Sequence, residues 1–411
     1  MTRFIYGLVL SLFNTGIHIA ALFNIKAALW VAGRKQIWNE IKTKIQPHNH
    51  LVWFHCASLG EFEQGRPVME EYKKKVPEAS ILITFFSPSG YEVKKDYPGA
   101  DYIIYLPLDL LRNVKRFIKL VNPKLVVFVK YEFWFNYLHQ LWLQKIPVFL
   151  ISANFREDQW FFKWYGKPFR KVFGFFTHMF VQKKNSRDIL SRYGFNKVTV
   201  SGDTRFDRVY QIVSERINMP LVEKFKQQKT LMIVGSSWKE DEAILIKYIN
   251  QDKRGLKWII APHEIALQHI ERIEEMLKKP SVRFSDISDK NILTTDVLII
   301  DNIGLLSSLY AYADIAWVGG GFGKGIHNIL EPATFGIPVF FGPNYTKFQE
   351  AVDLVKLKGA FVINNFEEFI NQLEPFLDLP ELLENTGEIN ADYIRINIGA
   401  KTKIVNNLLM I

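Results

Sequence analysis

The residues best suited to chemistry lie in a glycine-rich stretch at positions 314–343. There an apolar run leads into Gly319–Gly325, a segment that contains five glycines and one lysine. Glycines let the backbone approach a ligand and expose successive N–H groups, which suits a phosphate or another anion. A helix beginning near Asn328 would add its positive end, and Glu331 could accept hydrogen bonds from a ribose diol. The stretch predicts a nucleotide site, although an ordinary strand, turn and helix would look alike.

A second candidate is Glu61, which follows an apolar run at 51–54. Ser58 and Gly60 indicate a turn there, so that Glu61 would lie near the start of a helix. A carboxylate beyond the carboxyl end of a strand lies where open α/β sheets bind ligands, and it could act as a general base. An acidic residue is also favourable at any helix N-terminus, so the residues alone leave both interpretations open.

The elements that must position these residues are strands that alternate with helical segments. This alternation predicts parallel, doubly wound sheets in two Rossmann-like halves. The predicted boundaries are a membrane-associated segment at 1–35, a first domain at 36–207, a linker at 208–229, a second domain at 230–389 and a C-terminal helix at 390–411 that packs back on the first domain. The default ligand site of such a pair is the cleft that the domains face.

The composition of the chain restricts its class. With 411 residues, two domains are expected, and 48% hydrophobic residues argue against disorder. A net charge of +10 indicates anionic partners, and the single cysteine, Cys56, excludes an intrachain disulfide. The sequence contains no Walker A motif and no HExxH spacing, so no metal site is predicted.

The N-terminal segment suggests a membrane. No Lys, Arg, Asp or Glu occurs from Phe4 to Ile25, and three cations follow by position 35. This predicts a helix that either spans the bilayer or lies in its interface, with the globular part on the cytoplasmic side, although a buried helix of a soluble core would look alike. Residues 160–176 interleave aromatic and cationic side chains, typical either of a core-facing helix with a basic outer face or of a membrane-interface patch.

Taken together, these motifs resemble the 3-deoxy-D-manno-octulosonic acid (Kdo) transferases of lipopolysaccharide synthesis. The resemblance covers nearly the whole chain and rests on five segments: 57–61, 132–136, 202–207, 235–237 and 327–333. It implies a GT-B fold, that is, two Rossmann-like doubly wound domains facing a central cleft, plus an N-terminal apolar membrane-associated helix. It further implies an inverting transfer of Kdo from CMP-Kdo to a lipid A precursor at the inner membrane, with no metal and no cofactor.

The resemblance also implies roles for individual residues. Glu61 corresponds to the proposed base of the family, and Asn328 and Glu331 to the residues that hold the CMP ribose and phosphate. The other residues expected on the donor side are Ser236, Ser237, Pro262, His263, Gly321, Gly323 and Lys324. On the acceptor side, we expect residues that either contact the acceptor or lie just behind those that do: Ser58, Gly60, Glu132, Trp134 and Asn136.

Three positions depart from the family pattern. An Arg-His pair is replaced by His263-Glu264, the histidine of Gly-Ser-Thr-His by Trp238, and the proline of Trp-Pro-Asn by Phe135. The cation at the donor phosphate would then be His263, Lys324 or another residue. The expected partners are CMP-Kdo, a lipid A precursor and the anionic membrane surface, without nucleic acid. Two alternatives remain open: a GT-B enzyme with another nucleotide sugar, and a non-enzymatic basic binding protein.

Overall fold

The computed structural model describes residues 2–46, 50–215 and 217–410. The chain divides into two compact units. The first comprises Met1–Arg208 with Ile398–Ile411, and the second comprises Val209–Asn397.

The first unit is built on a parallel sheet that has seven strands in the described part of the chain, in the order β3-β2-β1-β4-β5-β6-β7. These strands are β1 Leu51–Cys56, β2 Ser80–Phe85, β3 Tyr102–Tyr105, β4 Leu125–Val129, β5 Val148–Ala153, β6 His178–Val181 and β7 Val198–Val200. The strand order reverses between β1 and β4, which pair directly. Such a switch point opens a crevice at the carboxyl ends of the strands.

Helices cover both faces of this sheet. Along the chain they are α1 Thr2–Ala20, α2 Ile25–Lys35, α3 Ile37–Lys44, α4 Leu59–Lys75, α5 Pro88–Lys94, α6 Leu111–Val121, α7 Phe135–Leu143, α8 Lys184–Arg192 and α9 Thr204–Glu215. The apolar strands β1, β4 and β5 are buried throughout, as expected for a parallel sheet that is covered on both sides.

The second unit repeats this plan. Its strands, again seven among the described residues, run parallel in the order β10-β11-β9-β8-β12-β13-β14. They are β8 Leu231–Ser237, β9 Lys257–Pro262, β10 Ser281–Arg283, β11 Val297–Ile299, β12 Ile315–Val318, β13 Val339–Phe341 and β14 Ala360–Val362. The predicted fold class is therefore confirmed, and here the switch point lies between β8 and β12. The three-residue strands β10 and β14 were not predicted, because their apolar runs are too short to stand out.

The helices of the second unit are α10 Pro220–Lys226, α11 Lys239–Gln251, α12 Leu267–Met276, α13 Leu306–Leu309, α14 Leu330–Thr334, α15 Gln349–Leu357, α16 Phe366–Asp378 and α17 Pro380–Asn397. The last helix, α18 Ala400–Leu408, belongs to the first unit and packs on α4. Gly399, with φ +105°, separates α17 from α18. Residues 390–411 are therefore not one helix, because a left-handed residue ends α17.

Residues 160–176 do not form one helix either. They form three short 3₁₀ segments, Trp160–Phe162, Trp164–Gly166 and Phe169–Phe175. Phe161 and Phe173 are buried, whereas Trp164 is 87% exposed. Five aromatic residues within the first seven positions leave too little helical periodicity to keep one face in the core.

The N-terminal helices α1 and α2 form a bent pair. No single helix in the described residues is long and apolar enough to cross a membrane; α1 and α2 meet these criteria only together, with a bend of 117°. Leu10 is buried against Trp30 and Leu108. Polar side chains of α1 bond to the backbone of their own helix. The hydroxyl of Ser11 donates to the carbonyl oxygen of Gly7, and that of Thr15 donates to the carbonyl oxygen of Ser11. The less exposed residues of α1 are Tyr6, Gly7, Leu10, Asn14 and Ile17, so that its packed face combines apolar and polar positions.

Candidate active site

Two groups of polar side chains lie at the carboxyl ends of the sheets, one group in each unit. In the first unit they follow β1 and β4, and in the second they follow β8, β9 and β12. Both groups include the loops of a switch point, where open α/β sheets bind their ligands.

In the first unit, Glu61 lies in the first turn of α4, directly beyond β1. Its carboxylate turns back and accepts the backbone N–H of Ala57. The carboxylate thus satisfies a backbone donor at the helix start, which agrees with the interpretation of Glu61 as an acidic residue favoured at a helix N-terminus. Ser58 occupies the N-cap without a side-chain capping bond, and Gly60 is exposed, so that a Cβ added there would meet nothing within 4 Å. The Ser58 hydroxyl and the space beside Gly60 are therefore not used by helix capping or close packing.

The protonation of Glu61 is set mainly by burial. Burial disfavours the charged carboxylate, and the neighbouring charge of Glu132 acts in the same direction, so that the pKa of Glu61 rises to about 7. The Ala57 N–H and the positive charge of Lys130 oppose this rise. Burial also lowers the pKa of the Lys130 ammonium. A carboxylic acid with a pKa near 7 is suited to taking a proton at neutral pH.

Glu132 lies in a compact polar cluster with Trp134 and His55. The Trp134 indole Nε1 donates to Glu132 Oε2 at 2.7 Å and lies 3.0 Å from His55 Nε2. Glu132 Oε2 and His55 Nε2 are 3.2 Å apart. The other ring nitrogen of His55 contacts Thr84 Oγ1 at 2.8 Å. His55 is fully buried, so the cluster holds the Glu132 carboxylate in one position.

Asn136 takes part in a different network. Asn136 is 3% exposed and bonds twice to the buried Asp109. Its backbone N–H donates to Asp109 Oδ2 at 3.0 Å, and its side-chain amide donates to the Asp109 carbonyl oxygen at 2.6 Å. Tyr6 of α1 donates its hydroxyl to the same Asp109 Oδ2 at 2.6 Å. This burial places Asn136 behind the site and not at a ligand surface. The network also connects α1 to the start of α7.

In the second unit, β8 ends in Ser236 and Ser237, and the structure separates their roles. Ser237 is fully buried, and its hydroxyl donates to Glu242 Oε1 at 3.0 Å. Burial hides the Ser237 hydroxyl, so a contact of Ser237 with the donor, which stays a prediction, would have to come from its backbone. Ser236 is half-buried with φ +54°, a left-handed conformation that non-glycine residues rarely adopt.

The glycine-rich loop is organised by Asp241, a fully buried carboxylate near the start of α11. Its Oδ2 accepts the backbone N–H groups of Gly320 and Trp238, each at 2.9 Å. Gly321 approaches Gly342 so closely that a Cβ would lie 2.5 Å from the Gly342 nitrogen. By contrast, a Cβ on Gly323 would meet nothing nearer than 3.7 Å. Packing therefore requires glycine at Gly321 but leaves space at Gly323.

Three rings stack beside this loop. The Trp238 and His263 ring centroids are 4.6 Å apart, and those of His263 and His327 are 4.4 Å apart. The Trp238 indole N–H donates to His327 Nε2 at 3.0 Å. An indole can only donate, so His327 is neutral with its proton on Nδ1. Burial, followed by the charge of His263, lowers the pKa of His327, which agrees with this assignment.

Asn328 and Glu331 lie together at the start of α14. The Asn328 amide donates to Glu331 Oε1 at 3.0 Å, and Ser307 donates to Oε2 at 3.0 Å. The helix itself begins at Leu330 and has only five residues, so the strong helix dipole expected here is absent. The anion-binding potential of this loop instead comes from its backbone N–H groups and from the exposed Lys324 and His263.

Sequence reasoning missed Lys130 and Asp241. Lys130 directly follows β4, so its position beyond a strand was a usable signal. Asp241 is the third residue of α11, where an acidic residue is common for reasons of capping alone. Pro262, expected on the donor side, is the buried last residue of β9. Among the residues that the structure describes, no group of three His, Cys, Asp or Glu side chains is arranged to hold a metal ion.

Comparisons with known proteins agree with this architecture. The UDP-GlcNAc 2-epimerase of Neisseria meningitidis, solved with UDP-GlcNAc, matches with a TM-score of 0.62 at 17% identity and covers 88% of this chain and 100% of its own. MurG of Acinetobacter baumannii matches with a TM-score of 0.55 at 13% identity, covering 89% of this chain and 100% of its own. Two Rossmann-like units with loops at both switch points define the GT-B class of glycosyltransferase folds.

The sequence comparisons point to one family of transferases. The model of the 3-deoxy-D-manno-octulosonic-acid transferase (kdotransferase) family matches residues 33–208. The 3-deoxy-D-manno-octulosonic acid transferase of Haemophilus influenzae is 29% identical over 382 residues, which cover 87% of this chain and 86% of the relative. The chain is similar to the Kdo transferases over most of its length, and the resemblance inferred from its motifs is confirmed.

Proposed function

We propose that this protein moves Kdo from CMP-Kdo to a hydroxyl of a lipid A precursor of the lipid IVA type, with inversion and without a metal ion. Kdo transfer in lipopolysaccharide biosynthesis is supported by the similarity to the Kdo transferases. The acceptor, the stereochemistry and the roles of single residues are the proposed part.

Glu61 is the proposed general base. A sugar hydroxyl is a weak nucleophile, so a carboxylate that takes its proton as the new bond forms lowers the barrier. The observation that carries this role is the half-buried carboxylate beyond β1, whose pKa of about 7 lets it accept a proton at neutral pH. Burial and the charge of Glu132, which is held by Trp134 and His55, maintain that pKa, and the open space beside Gly60 leaves room for the acceptor.

The second unit provides the proposed donor site. CMP leaves as a phosphate monoester, and hydrogen-bond donors and cations must balance its developing charge. The neutral His327, the exposed His263 and Lys324 could supply them without a metal. Asn328 and Glu331 would hold the ribose, since an amide beside a carboxylate can pair with a diol. Ser236, Gly321 and Gly323 would shape the pocket.

The N-terminal helices provide the proposed membrane contact. At the turn between α1 and α2, Leu22, Phe23 and Ile25 are 76%, 87% and 81% exposed. Apolar side chains exposed in this way at a helical turn suit the acyl boundary of a bilayer, and the +10 net charge suits anionic headgroups. We place the protein on the cytoplasmic face of the inner membrane.

The direct test is the mass of the product after incubation with CMP-Kdo and a tetra-acylated lipid A precursor, in buffer that contains EDTA. The proposal predicts one or more added Kdo residues and release of CMP. CMP should also raise the Tm of the protein, whereas UDP and GDP should not. Transfer that requires added Mg²⁺, or equal protection by UDP, would contradict the proposed mechanism or donor.

A further inference from the structure

A cavity of about 470 Å³ lies in the first unit among the N-terminal helices and the segment between β3 and α6. This volume falls within the roughly 300–1,000 Å³ that small-molecule sites occupy. Its apolar walls are Trp30, Val31, Ile37, Trp38, Pro107 and Leu108. Arg34 and Lys35 also line it, together with His18, so that cationic and apolar side chains share one cavity.

Two of the lining residues have hydrogen-bond donors without acceptors. Trp30 is 4% exposed, and its Nε1 has no partner in the described part of the chain. The Arg34 guanidinium donates to the carbonyl oxygens of Leu106, Trp30 and Phe86 at 3.0, 3.2 and 2.8 Å. These bonds occupy three of its N–H groups and leave two without an acceptor among the described residues. A buried N–H without an acceptor is unfavourable, so a ligand oxygen here would be bound tightly.

The charge of Arg34 is retained despite its burial. Burial lowers the pKa of the guanidinium to about 9, which still leaves it protonated at neutral pH. The guanidinium lies 3.8 Å from the centroid of the Trp30 ring. The cavity thus has a fixed positive charge beside its apolar walls, which favours an amphiphile with polar oxygens.

Elements that line the cavity also lead to the exposed apolar turn and to the Glu132 cluster. The helices α1 and α2 lead to the exposed Phe23 at their turn. Ring contacts run from Trp30 to Phe86 at 5.7 Å and from Phe86 to Trp134 at 4.7 Å. Aromatic contacts thus connect the wall of the cavity to the Glu132 cluster.

We infer that this cavity binds one acyl chain of the lipid acceptor, and that a carbonyl or hydroxyl oxygen of that chain accepts the Trp30 indole N–H. The inference rests on the proposed function for the identity of the lipid. The apolar walls contact the acyl chain, and the N–H groups of Arg34 and Trp30 donate to its oxygen. The cavity thereby contributes to acceptor affinity and takes no part in the chemical step.

The test uses a pair of neighbouring residues on α2. Val31 lines the cavity, whereas Ala32 is exposed and does not. Val31→Trp should fill the cavity, and Ala32→Trp adds the same ring outside it. Excluding even two methylenes from an apolar site weakens binding about tenfold, so Val31→Trp should raise the KM for the acylated acceptor by at least that factor. The KM for CMP-Kdo should stay unchanged in both variants.

A deacylated, phosphorylated disaccharide serves as the second acceptor. The wild-type protein, Val31→Trp and Ala32→Trp should all use it with the same KM. An equal KM of Val31→Trp and Ala32→Trp for the acylated acceptor would overturn the inference. So would an equal increase of the KM for both acceptors in Val31→Trp, since that indicates a general distortion.

Direct binding separates the inference from the proposed function. A fatty acid with a terminal bromine should quench the tryptophan fluorescence of the wild-type protein. Trp30→Phe and Trp38→Phe should each reduce this quenching, because they remove indoles that line the cavity. Val31→Trp should abolish the same part of the quenching, because it fills the cavity. Quenching that is the same in all four proteins would overturn the cavity site. If the wild-type protein converts neither acceptor, the proposed function fails, while the quenching experiment still decides on the cavity.

Discussion

Glu132 lies close enough to Glu61 for its charge to raise the pKa of the Glu61 carboxyl, second only to the effect of burial. The Glu132 carboxylate is itself held by the Trp134 indole N–H at 2.7 Å. The two acids thus have distinct roles, because one is poised near neutrality while the other carries the charge that helps to keep it there.

This pair predicts a pH dependence. The base must be ionised, so kcat/KM should rise with pH through about 7, the pKa of Glu61. Glu132→Gln removes one of the two main causes of the raised pKa but leaves burial, so the rise should shift to lower pH without disappearing. A pH–rate profile of both proteins measures the shift. An unchanged midpoint, or one at higher pH, would show that Glu132 does not set the protonation of the base.

Gly60→Ala tests whether the acceptor occupies the space beside Gly60, because the substitution should not lower the stability of the protein. A Cβ on Gly60 meets nothing within 4 Å, and alanine favours a helix more than glycine does, so the Tm should be unchanged or slightly higher. If the acceptor occupies that space, kcat/KM should fall about tenfold or more, since small displacements of a reacting group are costly. Gly174→Ala is the matched control, because Gly174 is equally free of contacts. Full activity of Gly60→Ala would move the acceptor elsewhere.

Trp238→Phe should weaken donor binding. Phenylalanine keeps the stack with His263 but removes the N–H that holds His327 in its neutral form. Loss of one hydrogen bond of about 0.5–1.5 kcal/mol predicts a KM for CMP-Kdo that is higher by about two- to tenfold, with the KM for the lipid unchanged. Trp160→Phe, at an exposed position of the first unit, controls for the general loss of an indole. An equal effect of both substitutions would exclude a specific role of Trp238.

The exposed turn predicts the membrane contact. Replacing Leu22 and Phe23 by glutamate should leave the Tm unchanged, since both side chains are exposed, but should reduce sedimentation with anionic vesicles. Ile303→Glu is the control, because Ile303 is 86% exposed in the second unit. Deleting the whole N-terminal segment is a poorer test, because Tyr6 and Leu10 are part of the packed first unit. Undiminished sedimentation of the double variant would assign the contact to another surface.

The sequence predicted the sheets and the loops that carry polar residues, because buried parallel strands are apolar runs that end in turns. It could not separate Ser236 from Ser237, since two adjacent serines look equivalent until the strand fixes which one is buried. Asn136 was expected on the acceptor side or just behind it from the resemblance, and nothing in the sequence indicated that Asp109, 27 positions earlier, binds it. Contacts of that range depend on packing and leave no local pattern. The short α14 ends where the sequence indicates, because Gly336, with φ +68°, lies just beyond it and Pro338 begins the next apolar run.

The activity of Glu61→Gln is the measurement that tests the central claim most directly. Glutamine keeps the size of the side chain but cannot take a proton, so kcat should fall about 10²–10⁴-fold, the usual contribution of general base catalysis.

The variant must also be shown to fold. Because the pKa of Glu61 is raised from 4.5 to about 7 in the folded protein, ionising Glu61 costs stability as the pH rises through that range. Glu61→Gln should therefore gain stability relative to the wild-type protein as the pH rises from about 4.5 to about 7. The account predicts a folded variant that binds CMP and transfers almost no Kdo; a folded variant with wild-type kcat would contradict it.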